Sequence, residues 1–589
     1  MSMIATFDFQ VNEIMYQTGR ALPDVLAELR SMGYTHIEAG TGTVTDEWLE
    51  TVRNAGLKVA LVYTSPDFRD PAANEQIVND IVACAGKSKT ECLMVVPAEY
   101  PDLPFDVIDA QLTELAKRLN AINVQMVMED FDWGEPARSF ASSDGLLRYM
   151  NAVPQLKCCF DTGNFIRSGE NYRTAYQRLK HLVAHVHLKD RLSTELYGPK
   201  LMELPDGTPV MSAPVGKGDL DLGHFLEQLA EDGYDGVLAL EHGGCTDALT
   251  AARESADFLR LHTAVHALFD KAAQIRKAHP EISWGATGVE NVPGTEECDL
   301  TRTPVVTDWN RMIEPEWSAA RKIVDGILDT LPRPDLSKSV KLDESNLWIW
   351  GGPTPYWGGS LEDDTLIRGA KYFNIKNAFY VYGSTTEKMI ALHSGFRRLL
   401  CQVNSNCRAA DQIDGMTDAD MAELVSRFSL KYPNICGAIC DDATQNEDVI
   451  DPEPFRIRCE ALKKHNPALK MFGVAYAHEM KNKDFTPILP YVDGVNFWFW
   501  SMEEILEYDR YIRLCQEKFP GKLIIQGIFI HEYCRSDAGA FPELLEYQLD
   551  KAREYLTKGV SSGVILLGDR EISKWPDSAR AVRNYLRCQ

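Results

Sequence analysis

LKCCFDTGN (156–164) and VAHVHLKD (183–190) each open on an apolar run and close on acids, imidazoles or amides. Apolar runs of this length, separated by helical stretches, read as strands buried on both faces, as in a parallel sheet covered by helices. The same kind of run stands on either side of the pair, VQMVMED (124–130) before it and GVLALEHGG (236–244) after it. Further toward the N-terminus come IATFDFQ (4–10), THIEAG (35–40), KVALVYTS (58–65) and ECLMVVPA (91–98). Between them lie stretches with apolar residues at helical spacing, such as ALPDVLAELRSMG (21–33) and PFDVIDAQLTELAKRLNAI (104–122). Eight strand–helix units in about 260 residues are the count and length of a closed (β/α)8 barrel. The competing reading is an open doubly wound sheet. Its commonest cofactor signal, G-x-G-x-x-G after the first strand, is missing here.

The alternation breaks over residues 268–340, where HPEISWGATGVENVPGTEECDLTRTPVVTDWNRMIEPEW is rich in Gly, Pro, Thr and acids. That is too long for a plain loop, so ordered packing with one helix after it is expected. Eight more runs follow: NLWIWGG (346–352), NAFYVYG (377–383), RRLLCQVN (397–404), ICGAICDD (435–442), KMFGVAYA (470–477), GVNFWFW (494–500), KLIIQGIFIHEY (522–533) and SGVILLGD (562–569). The expected organisation is α/β, with two (β/α)8 barrels in tandem: residues 1–267, a connecting segment 268–340, and a second barrel over 341–589.

The chain has 589 residues, more than one ordinary core holds, and 61 basic against 86 acidic residues give a formal charge of −25. So acidic a surface repels phosphate backbones and anionic lipids, which speaks against nucleic acid and membrane partners. No secretory signal opens the sequence and no apolar window has the length of a membrane span. The fourteen cysteines show no repeated pair spacing and no zinc pattern. They read as reduced thiols, and a cytoplasmic location is expected. A homo-oligomer is compatible with all of this.

Strand C-termini of a β/α barrel converge on one face. Here strand five ends in Glu129-Asp130, strand six in Asp161-Thr162-Gly163-Asn164, strand seven in His185-Val186-His187-Leu188-Lys189-Asp190, and the last strand of the first barrel in Glu241-His242. Any one of these could merely cap a loop. Four consecutive strands ending in a carboxylate or imidazole point to a divalent metal, one nitrogen and three carboxylates suiting Mn²⁺, Mg²⁺, Co²⁺ or Zn²⁺.

FDTGN, HVHLKDR and VGKGDLDLGHFLEQLAEDGYDGVLALEHGG resemble the xylose-isomerase-like sugar phosphate isomerase/epimerase family, which includes inosose dehydratase, hydroxypyruvate isomerase and D-tagatose 3-epimerase. The resemblance covers nearly all of the first barrel. It implies one divalent metal, Mn²⁺ first, held by Glu129, Asp161, His187 and Glu241. In the epimerase branch the two glutamates, Glu129 and Glu241, are also the catalytic proton-transfer pair on opposite faces of the substrate. A metal chelating carbonyl and hydroxyl oxygens stabilises the enediolate left by a departing carbon-bound proton, and flanking carboxylates take and return that proton. Asn164 stands where the epimerases have a substrate-binding histidine, and Arg191 comes only four residues after His187, so a plain ketose 3-epimerase is not implied.

Asn164, Arg191, Lys189 and Glu38 are candidates for binding substrate, with a structural ion pair as the alternative for the last two. His185 faces the same side as His187 one layer deeper and reads as a core histidine. Gly216 and Gly218 read as a tight loop before the last helix, with Asp219 and Asp221 as helix-start residues.

The second barrel resembles a glycosidase-type barrel at the level of fold only. Its strand ends carry Asp441-Asp442, His478-Glu479, His531-Glu532 and Asp569-Arg570-Glu571, and Trp348, Trp350, Trp357, Trp498 and Trp500 offer either stacking platforms or core. No glycosidase signature accompanies them.

Three functions follow: a metal-dependent isomerase or epimerase acting on a small carbohydrate; a dehydratase or lyase on keto-sugars or keto-glycosides sharing the first step; or a carbohydrate-binding protein without catalysis.

Overall fold

Every one of the sixteen apolar runs contains a strand in the computed structural model, which describes residues 3–131, 138–194, 196–199, 202–204, 206–279, 309–353, 362–404, 415–444, 449–532, 535–568, 572 and 575–589. The chain divides into two compact units, Met1–Thr263 and Ala264–Gln589.

In the first unit the strands are β1 (Met3–Phe7), β2 (His36–Gly40), β3 (Lys58–Thr64), β4 (Cys92–Val95), β5 (Gln125–Glu129), β6 (Lys157–Asp161), β7 (Val183–Leu192) and β10 (Val237–Glu241). All pair in parallel with their neighbours, and β10 pairs with both β1 and β7, which closes the barrel. Two antiparallel strands, β8 (Met202–Glu203) and β9 (Pro209–Ala213), extend β7 beyond the barrel rim. This excursion is not legible in the sequence, because a two-residue strand has no periodicity to read. The first run is also shorter than its apolar pattern: β1 stops at Phe7 and a helix, Asp8–Thr18, begins at the next residue. Helix starts elsewhere follow their capping side chains, Ser142, Asn171 and Asp221 each accepting a backbone N–H of the first turn.

Register slips by one residue between Ile37 and Glu38 and between Cys158 and Cys159. Such bulges re-aim the side chains that follow. Both precede residues whose polar groups end in the barrel's centre.

The second unit holds β11 (Leu347–Gly351), β12 (Asn377–Tyr380), β13 (Arg398–Gln402), β14 (Ile435–Cys440), β15 (Lys470–Tyr476), β16 (Gly494–Trp498), β17 (Leu523–Ile528) and β18 (Gly563–Leu567), a closed parallel barrel. Its interior is aromatic. Trp348, Trp350 and Trp498 are buried, with Phe379 between the first two. Of the segment expected to connect the barrels, residues 280–308 lie outside the described residues, as do Trp357, Asp569, Arg570 and Glu571. The described part packs on the second unit: Trp309 Nε1 donates to Ser536 O and Trp317 Nε1 to Gly539 O. No helix among the described residues is long and apolar enough to cross a membrane.

Candidate metal centre

Asp161, the last residue of β6, is held by the turn it begins. Its Oδ1 accepts the backbone N–H groups of Gly163 (2.7 Å) and Asn164 (2.9 Å). Thr162 ties the same turn to β7, donating to Lys189 O at 2.8 Å and accepting from Lys189 N at 2.9 Å. A Cβ on Gly163 would stand 2.7 Å from Lys189 Cγ, so only glycine allows β6 and β7 to approach this closely. The D-T-G-N sequence thereby fixes one carboxylate oxygen and leaves Asp161 Oδ2 buried without a hydrogen bond, the Lys189 ammonium lying 3.1 Å away.

His187 stands opposite Asp161 in register. Its Nδ1 lies 2.6 Å from Glu129 Oε1 and its Nε2 3.1 Å from Glu38 Oε2, while the other Glu38 oxygen is 2.7 Å from His185 Nε2. Burial opposes charge on Glu38, but the two imidazoles outweigh it and hold that carboxyl down to about 2. His185 is therefore more than packing, since it occupies the second oxygen of the carboxylate that orients His187. Burial, partly offset by His187, lifts Glu129 up to about 7. His187 is raised well above the usual imidazole value: burial opposes this, and Cys159, Glu38 and Glu129 overcome it.

Lys189 brings its ammonium between Asp161 Oδ2 and Glu241 Oε1, the latter at 2.7 Å. Burial disfavours its charge, yet Asp161, Glu241 and Glu129 keep it firmly protonated. Asn164 Oδ1 accepts from Lys189 Nζ at 3.0 Å and from Arg191 Nη2 at 3.4 Å. Arg191 is buried and also donates to Gly163 O and Ser212 Oγ. It and Asn164 thus brace the Asp161 turn against the β9 strand. Asp190 gathers the V-G-K-G-D loop, accepting the N–H groups of Gly216, Gly218 and Leu220. Only Asp221 of the two expected helix-start acids is a helix cap; Asp219 accepts from Ser193 N.

One donor atom each from Glu129, Asp161, His187 and Glu241 lies within 4.8 Å of the others. Three carboxylates, one imidazole and a buried Asp161 oxygen lacking a hydrogen bond fit a divalent cation of the transition-metal or magnesium type. Glu241 is the member solvent reaches, 18 % exposed against 0–4 % for the rest, so a ligand would enter past it. Behind the cluster, Glu38 on the far nitrogen of His187 is the arrangement that fixes a ligating imidazole's tautomer and orientation. Glu38→Gln should therefore weaken Mn²⁺ binding by about 10–100-fold with the fold retained. Calorimetric titration of both proteins checks this, and equal affinities would reduce Glu38 to core packing.

Three neighbours are given no role in the sequence reading. Cys159 makes a second triad with Glu129 and His187. Asp130 is fully buried, and neither of its oxygens has a hydrogen bond. Burial first, then Asp161 and Glu129, push it well above the ordinary carboxyl range. His242 is likewise buried with both nitrogens unbonded, and burial lowers it to about 4. Nothing in E-D or E-H as dipeptides distinguishes such side chains from solvated ones.

Residues 26–262 match the family model described as xylose isomerase-like TIM barrel. Among curated proteins, inosose dehydratase of Lacticaseibacillus casei is 26 % identical over 145 residues, 24 % of this chain and 48 % of that protein. Inosose dehydratase of Clostridium botulinum (strain Alaska E43 / Type E3) is 33 % identical over 85 residues, 14 % of this chain and 28 % of that protein. The chain thus spans about half the length, or less, of the curated relatives it matches. Among solved structures, a xylose isomerase-like TIM barrel protein from Mycobacterium smegmatis in complex with magnesium aligns at 16 % identity, covering 44 % of this chain and 95 % of that one, with a TM-score of 0.35. A xylose isomerase domain protein from Alicyclobacillus acidocaldarius aligns at 17 % identity over 45 % of this chain and 99 % of that one, with a TM-score of 0.36.

Proposed function

From a first unit that carries the xylose isomerase-like TIM barrel, we propose that this chain is a divalent-metal-dependent lyase. In this reading it removes a proton next to the carbonyl of a keto-carbohydrate and then expels a β-substituent. The observation that carries it is the Glu129–Asp161–His187–Glu241 cluster with the Lys189 ammonium set into it. A divalent cation held by those four residues, Mn²⁺ before Mg²⁺, Co²⁺ or Zn²⁺, supplies Lewis-acid stabilisation for charge developing on substrate oxygen.

The chain's own groups do the rest. Glu241, the open member of the set, takes the carbon-bound proton. Lys189, kept cationic by three carboxylates, donates a hydrogen bond to the departing oxygen, which takes up the proton that Glu241 removed and leaves as water or as an aglycone hydroxyl. Glu38 and His185 hold the imidazole of His187 in place throughout. The names of the curated relatives, inosose dehydratases, support elimination over simple rearrangement.

A second reading, isomerase or epimerase, shares the first proton transfer and is favoured by the pairing of Glu129 with Glu241 at one centre. Incubating the Mn²⁺-loaded chain in D₂O with ketoses, keto-inositols and 3-keto-glycosides separates the two by NMR. Loss of water or aglycone is the expected result. Deuterium uptake without elimination would move the assignment to the isomerase reading, and neither event with metal bound would remove both.

A further inference from the structure

We propose that the second barrel carries a binding site of its own for a neutral glycosyl ring, built on the C-terminal ends of β12, β14, β15 and β16. The C-terminal face of a closed β/α barrel is where side chains from several strands converge on a ligand. Among the described residues every group able to hold a metal lies in the first unit. The described residues at this rim offer a ligand rings and hydrogen bonds.

The floor is aromatic. Trp350 and Trp498 meet edge to face, 5.8 Å between centroids, and Trp350 Nε1 donates to the Tyr382 hydroxyl at 2.7 Å. A Cβ on Gly527 would lie 2.1 Å from the Trp498 ring, so the glycine of β17 is what admits that indole to the barrel's interior. Tyr476 stands beside Trp498 in register. It packs edge-on to Trp500 at 4.7 Å, and its hydroxyl donates to Asp442 Oδ1 at 2.5 Å. Tyr382, Asp442, Tyr476 and Trp500 are all half-buried, below a His478 side chain that is 45 % exposed.

Two features show that this rim is held in shape rather than left as loop ends. Tyr382 and Asp442 both have left-handed backbones, φ 68° and 48°, a conformation that costs a non-glycine residue free energy and gathers at ligand sites. Behind them a side-chain ladder braces the strands. Gln402 accepts Tyr382 N, and Asn404 exchanges hydrogen bonds with the backbone of Asp441.

Partly exposed aromatic rings beside an oriented acceptor suit a sugar ring, whose C–H face lies on an indole or phenol while its hydroxyls donate to a carboxylate. The Asp442 carboxylate disfavours a phosphorylated sugar. A quaternary ammonium needs rings spaced around it, whereas Tyr476, His478 and Trp500 pack on one another, 4.7–5.6 Å apart.

The test uses the full chain and methyl α- and β-pyranosides of glucose, galactose, mannose and xylose, followed by saturation-transfer NMR and tryptophan fluorescence. At least one should bind saturably. Asp442→Asn and Trp500→Ala should each weaken it about tenfold or more, the order of one lost hydrogen bond or stacked ring. His187→Ala, in the other barrel, should leave it unchanged. Asp442→Asn is isosteric, so a thermal melt matching the parent makes its result decisive even if Trp500→Ala fails to fold. No saturable binding by any pyranoside, binding abolished by His187→Ala, or preference for tetramethylammonium would each overturn the proposal. Because the readout is binding and the probes lack a ketone, failure here leaves the first barrel's reading standing, and the reverse also holds.

Discussion

Glu241→Gln should keep its metal and lose turnover by about 10²–10⁴-fold, the usual contribution of a positioned general base. The amide retains an oxygen for the cation and nearly the same shape, so the loss isolates proton transfer. Glu241 is the member of the cluster nearest solvent, with the Lys189 ammonium 2.7 Å from its carboxylate. Glu129→Gln separates the two functional readings. Glu129 is almost fully buried against His187. If elimination needs one base, the Glu129 variant should still exchange substrate deuterium, whereas an epimerase must lose exchange on one face of its substrate. Metal content by mass spectrometry and single-turnover rates are the two measurements. Normal rates in Glu241→Gln would leave no role for it beyond ligation.

Both barrels were legible because a parallel strand covered on both faces leaves a run of apolar residues whatever surrounds it. The polar strand ends were legible because a β/α barrel collects them on one face, so their order along the chain was enough to group them. Three things were not legible, each for a physical reason. The role of Glu38 depends on a partner 149 positions away, His187, and on a register slip just before it that no pattern of apolar residues encodes. What holds Arg191 and Asn164, expected from the sequence as substrate groups, is set by the fold and not by the motif. In the fold they are buried, and their hydrogen bonds run to Gly163, Ser212 and Lys189. Asp130 and His242 are buried without hydrogen-bond partners, and burial of a single polar residue after a strand leaves no periodic trace.

In the second barrel the sequence placed acids at strand ends in a pattern reminiscent of glycosidases, and the structure separates those acids by what they hold. Glu532 Oε2 accepts the backbone N–H groups of Arg535, Ser536 and Asp537, which makes it the organiser of a loop. Glu479 accepts Tyr476 N and pairs with Lys483. Asp442 instead meets a phenol at the mouth of the barrel. Acids at equivalent strand ends are thus divided by what comes to meet them, backbone amides at Glu532 and side chains at Asp442.

His187→Ala should weaken Mn²⁺ binding by at least about a hundredfold, more than loss of a partner behind the ligand costs, and should also change how binding depends on pH. The cation takes the carboxylate form of Glu129 and the neutral form of His187. Burial lifts Glu129 up to about 7, so below that pH binding must displace its proton. Cys159, Glu38 and Glu129 raise His187 well above its ordinary value, so it too binds metal only after losing a proton. Both signs agree: affinity increases as pH rises. In the parent chain it should fall by about ten- to a hundredfold per unit as pH drops from 7 to 5.5, one to two protons being released for each ion bound. Removing the imidazole removes one of those protons. The variant's dependence should therefore be shallower by about tenfold per unit, in addition to its weaker affinity. Titrations at three pH values, with unfolding curves to show that the barrel is intact, give both quantities. A parent affinity flat from pH 5.5 to 7, or a variant with full metal occupancy, would mean that the cation is not held by Glu129 and His187. The cluster would then be a buried network of ion pairs closed by Lys189.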